Sequence, residues 1–95
     1  MINLESKNAF LESRNFKKQN MQIIVDILTT KMLLHGNIIA IKNNETNKIK
    51  IQNCGWFSKT TKERLNALPG VSIQQKNFNW YLNGVQWNGN LIEIK

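Results

Sequence analysis

The chain has 95 residues, the length of one domain, and a core of that size leaves few positions for an internal active site. Thirteen basic side chains face six acidic ones, a net charge of +7 that points to an anionic partner: nucleic acid, a nucleoprotein or an acidic protein surface. A single cysteine, Cys54, and a single histidine, His35, exclude an internal disulfide and the usual Cys/His zinc site, and no apolar run is long enough for a transmembrane helix.

Eleven of the basic residues are lysine; only Arg14 and Arg64 are arginine. Lysine meets phosphate as a flexible point charge, whereas arginine offers a planar fork for base edges. Nucleic-acid binding is therefore expected to lean on the backbone rather than on base sequence. The opening MINLESKNAF is too polar for a signal peptide, so the cytoplasm is the expected location and no membrane partner is expected.

Residues 3–20 are polar and basic, and they read as an N-terminal helix or a partly ordered basic arm. In a helix, Arg14, Lys17 and Lys18 fall at i, i+3 and i+4 on one face. Residues 22–34 carry both signals. Met21, Val25, Leu28 and Met32 have helical spacing, but the segment is rich in β-branched residues, which favour strand. With Gly36-Asn37 following, it reads as strands at about 27–34 and 38–42; a helix stopped at Gly36 is the alternative. After a polar loop at 43–47, KIKIQ at 48–52 alternates as a half-buried strand with Lys48 and Lys50 outward.

Thr60 and Glu63 form a capping box that opens a helix over about 60–68. Thr61, Leu65 and Leu68 make its inward stripe, and Pro69-Gly70 stops it. Lys59-Thr60-Thr61 looks like the tail of a phosphate-binding loop, but the leading glycine pattern is missing, so nucleotide hydrolysis is rejected. What remains is a helix N-terminus flanked by Lys59 and Lys62, a candidate for one backbone phosphate. Val71 and Ile73 then alternate. A loop at 76–79 leads to Trp80 and Leu82, Asn83-Gly84 turns the chain, and 85–87 returns. Ile92 and Ile94 share a face of a last strand. The fold class is α+β: a mostly antiparallel sheet, one short helix and an N-terminal helix.

Trp80 belongs to the core by periodicity, while Trp56, beside Gly55, is the tryptophan expected to show an exposed face. Tyr81 points opposite to Trp80 and is a contact candidate. Cys54 is expected to be buried, with a thiol nucleophile using His35 as the sharper alternative. No two acidic residues are close in sequence. The expectation is a protein without catalytic residues, cofactor or metal, whose contact residues are Arg14, Lys17, Lys18, Trp56, Lys59, Lys62 and Tyr81.

HGN at 35–37, GW at 55–56, TTKERLNALPGV at 60–71, WYLNG at 80–84 and the W-G pair at 87–89 resemble a group of small uncharacterised proteins of bacteriophages and integrated elements. The likeness covers about 35–89. Small basic proteins of such elements are often inhibitors of host defence, and in this respect the chain is similar to an anti-CRISPR protein acting on an RNA-guided RNA nuclease of type VI. The resemblance implies a binding protein that engages a host nucleoprotein, with RNA favoured. A general nucleic-acid-binding accessory protein and a virion or assembly component are the alternatives.

Overall fold

Hairpins set the path of the chain. The computed structural model describes residues 2–53, 55 and 58–94. Helix α1 (Ile2–Leu11) leads into strands β1 (Phe16–Lys18), β2 (Met21–Val25), β3 (Thr29–Leu34), β4 (Asn37–Asn43) and β5 (Ile49–Ile51). Helix α2 (Lys59–Asn66) follows, then β6 (Ile73–Lys76), β7 (Asn79–Leu82), β8 (Val85–Gln86) and β9 (Ile92–Ile94). Six strands form one sheet in the order β1-β2-β3-β4-β5-β9; β6, β7 and β8 form a second. Every pairing is antiparallel, and the fold is α+β.

The β-branched stretch is strand, not helix, and it makes two strands rather than one. A bend at 26–28 separates β2 from β3. Ile23, Met32, Ala40 and Ile51 are register neighbours across four strands, and all are buried. Between Met32 and Leu33 the β3–β4 register shifts, a bulge that lets consecutive Ile39 and Ala40 both be buried. Phe10 from α1, Leu65 and Leu68 from around α2, and Ile73, Trp80, Leu82 and Trp87 from the second sheet complete the same core. Each large aliphatic side chain in it contributes about 1.5–3 kcal/mol.

The N-terminal segment corrects the sequence reading. Helix α1 ends early because Ser13 takes the left-handed conformation (φ 52°). The Arg14 amide then donates back to the Ala9 carbonyl at 2.9 Å and the Ser13 amide to Phe10 at 3.3 Å, the pairing of a Schellman stop. Arg14 therefore lies beyond the helix, while Lys17 and Lys18 are successive residues of β1 and point to opposite faces. The shared helical face of these three does not exist. Ala9 and Phe10 are fully buried, so the segment is packed into the core.

Helix α1 has no basic residue in its last turn. Lys42 supplies the cation from β4: its Nζ donates to the Leu11 carbonyl at 2.6 Å, at the negative end of the helix. Lys42 is 4% exposed, and desolvation pushes its pKa below the ordinary lysine value. Near the C-terminus, Trp87 is anchored by its Nε1, which donates to the Asn90 carbonyl at 2.9 Å. Gly89 (φ 89°) packs directly on Asn53, which is almost wholly buried; a Cβ there would collide with the Asn53 side chain.

Two outcomes follow. Gly89→Ala should cost about 3 kcal/mol in urea unfolding, since backbone strain adds to the collision, against about 1 kcal/mol for Gly84→Ala, whose surroundings are open. Equal costs would contradict the packing. For Lys42, the unfolded chain holds the extra proton between the lowered folded pKa and the ordinary one. Stability of the wild type relative to Lys42→Met should therefore rise with pH through that alkaline window. A flat or falling difference would show that Lys42 is not desolvated.

Candidate nucleic-acid interface

Helix α2 positions the second sheet. Its N-cap is Ser58, two residues before the sequence-predicted Thr60. Ser58 is extended (φ −103°, ψ 157°), and its Oγ accepts from the Thr61 amide at 3.2 Å. Glu63 does not close a capping box on Thr60; its carboxylate lies 3.9 Å from the Lys59 ammonium, one turn back. Thr61, Leu65 and Leu68 are buried, as the inward stripe requires. At the other end of the helix, Asn66 grips β6. Its Oδ1 accepts from the Ile73 amide at 2.6 Å, and its Nδ2 donates to the Ile73 carbonyl at 3.1 Å. Asn83 holds the preceding residues in the same way: its Oδ1 accepts from the Ser72 amide and its Nδ2 donates to the Gly70 carbonyl.

These clamps fix which face of the small sheet is buried. Ile73 pairs with Leu82, and Trp80 lies beside Trp87 with ring centroids 6.2 Å apart, all on the buried side. The opposite face carries two cross-strand rows. Gln74, Tyr81 and Gln86 form the first; Lys76 and Asn79 form the second. Tyr81 is half-buried between its two glutamine neighbours, and the other four side chains are exposed. The face ends at the β6–β7 turn, where Phe78 is 94% exposed. No acidic residue occurs between Glu63 and Glu93, so this face holds no carboxylate of its own.

The predicted contact residues separate into groups. Tyr81 is on this face, as its alternation with Trp80 requires. Lys62 donates to Gln75 Oε1 at 3.3 Å, which places it on the helix-facing side of β6 and not on this face, and Lys59 is exposed one turn away on α2. Lys17 is exposed on the far edge strand of the large sheet. Lys18 is hydrogen-bonded to Glu5 at 3.0 Å, and that bond holds the Glu5 carboxyl below its ordinary pKa. Arg14 is 3.6 Å from Glu12. Trp56 and Cys54 lie outside the described residues. The three N-terminal cations thus make no joint site, and two of them already have acidic neighbours.

Sequence reading missed Gln74, Lys76, Phe78 and Gln86. The signal was present: an acid-free stretch, and an alternation that puts Gln74 and Lys76 on the side of Tyr81. It was hidden because 76–79 reads as a loop. In the structure it is a two-residue turn, with Asn77 and Phe78 both at positive φ (52° and 69°). The open face of the large sheet is different in character. Lys31 and Lys50 stand there among Ile24 and Ile41, but Lys31 is 3.7 Å from Asp26 and Lys50 pairs across strands with Glu93. Among the described residues, no group of three His, Cys, Asp or Glu side chains is placed to hold a metal ion. No described helix is long and apolar enough to cross a membrane.

A family model described as Kyanoviridae Gp96 protein, a phage family, matches residues 1–93. No curated protein and no solved structure matches the chain.

The cap assignment has a direct check. Ser58→Ala should lower unfolding stability by about 1 kcal/mol, while Thr60→Ala should stay within about 0.5 kcal/mol of wild type. The reverse order in thermal or urea unfolding would return the cap to Thr60.

Proposed function

The chain belongs to the Kyanoviridae Gp96 family of phage proteins, and we propose that it is a non-enzymatic binding protein that engages a host nucleoprotein, with RNA as the favoured anion. The observation that carries this reading is the outer face of β6, β7 and β8. Lys76, Tyr81 and three side-chain amides lie together there without a carboxylate. Lysines supply attraction and on-rate, and the aromatic and amide groups supply contacts at short range. The net charge of +7 adds long-range steering toward a polyanion.

A finer reading makes the target an RNA-guided nuclease of host defence, so that the protein is an inhibitor acting in the host cytoplasm. Its support is the phage family together with the basic, aromatic face, since a guide-RNA complex presents both phosphate and protein surface. A nucleic-acid-binding accessory protein would use the same face without a protein target. Co-purification from a defence-carrying host, repeated after nuclease treatment, separates the two. A protein partner that survives nuclease supports the inhibitor; loss of all partners supports the accessory role.

Charge neutralisation tests the surface itself. Each phosphate contact on a single strand contributes roughly 0.7 to the slope of log affinity against log salt. Lys76→Gln should therefore weaken binding to an RNA oligonucleotide and flatten the salt slope by about 0.7. Lys50→Gln removes the same charge from a different face and should leave the slope near wild type. Equal effects from the two variants would mean that net charge, not this face, drives binding. The RNA should remain full length throughout; its cleavage would overturn the non-enzymatic reading.

A further inference from the structure

We infer that Phe78 is a base-stacking residue and that the face behind it takes an unpaired strand of nucleic acid. The inference rests on the proposed nucleic-acid reading and narrows it to a ligand with free base faces.

The turn is the starting point. Among the described residues, three two-residue turns place both residues at positive φ: His35-Gly36, Asn77-Phe78 and Asn83-Gly84. Glycine fills the second position in the other two, as such turns prefer. Phenylalanine at φ 69° is an outlier for a bulky side chain. It also gains nothing from the core, since it is 94% exposed. The position therefore carries backbone strain and an uncovered aromatic ring together, an outlier from which a contact role is inferred.

The surroundings specify the ligand. Lys76 and Asn79 flank the turn as a register pair, and the next row holds Tyr81 between Gln74 and Gln86. An exposed ring offers a platform to any base, an ammonium beside it meets the backbone phosphate, and side-chain amides both donate to and accept from base edges and a ribose 2′-hydroxyl. An A-form duplex hides its base faces inside the stack, so Phe78 has nothing to stack on there. A membrane surface suits the site poorly, because the turn is flanked by Lys76 and Asn79 rather than by apolar side chains.

The test uses the full chain with an unstructured uridine oligoribonucleotide of about 12 nucleotides, within the footprint of small single-strand binders. A deoxy oligonucleotide of the same sequence and an RNA duplex are the other arms, read by fluorescence anisotropy. Phe78→Gly is the informative variant, because glycine suits the turn. It should raise the melting temperature while weakening single-strand binding about tenfold. Phe78→Tyr should keep the affinity. Wild type should bind the single strand more tightly than the duplex, and the ratio of RNA to DNA affinity tells whether the 2′-hydroxyl is read. Unchanged affinity in Phe78→Gly, with the lysine-dependent salt slope intact, would overturn stacking and leave the nucleoprotein reading standing. Wild type binding no nucleic acid at all would sink both. Loss of affinity only toward a nuclease-treated protein target would make Phe78 a protein anchor instead and overturn the inference.

Discussion

Two hydrogen bonds from one side chain decide what the small sheet shows to solvent. Asn66, the last residue of α2, accepts from the Ile73 amide and donates to the Ile73 carbonyl, so β6 starts in a fixed register against the helix. Strand side chains alternate, and a slip of one residue would exchange the two faces. With Asn66 in place, Ile73 turns to the core beside Leu82, while Gln74 and Lys76 turn outward beside Tyr81 and Asn79. Asn83 repeats the device on Ser72 and Gly70. The tryptophan pair then fills the buried side, where Trp80 and Trp87 meet. The helix cap at Ser58, the amide clamps and the aromatic packing all bear on one result, an outward face of lysine, amides and tyrosine.

Charge excess alone does not locate a binding surface in this protein. Lys18, Arg14, Lys59 and Lys31 each lie within 4 Å of a carboxylate, at distances from 3.0 to 3.9 Å. Exposed pairs of this kind are worth little to stability, but they reduce the field that a phosphate would meet. Lys42 is spent on the end of α1. The run between Glu63 and Glu93 holds no acid and two basic residues, the buried Arg64 and the exposed Lys76, and the fold turns much of that run into one strand meander.

Local chemistry made some elements legible in the sequence. Leu65 and Leu68 with the Pro69-Gly70 stop identified α2, Asn83-Gly84 identified the β7–β8 turn, and alternation placed Trp80 inward and Tyr81 outward. What was hidden had no residue-type signature. Ser13 and Phe78 occupy left-handed positions where glycine or asparagine usually advertises a stop or a turn, so α1 read as longer than it is and the β6–β7 turn read as a loop. Thr60 and Glu63 match the capping-box pattern better than Ser58 does, yet Ser58 has the extended backbone that a cap needs. The Lys18–Glu5 contact joins a strand to a helix, a tertiary pairing that no local pattern announces.

The account stands on the outer face of β6, β7 and β8 being the surface that meets nucleic acid. Backbone amide and side-chain NMR shifts, followed while an unstructured RNA strand is added to the full chain, address that directly. The expected map has its largest changes at Gln74, Lys76, Phe78, Tyr81 and Gln86. Changes confined to the open face of the large sheet, around Lys17, Lys31 and Lys50, would contradict it.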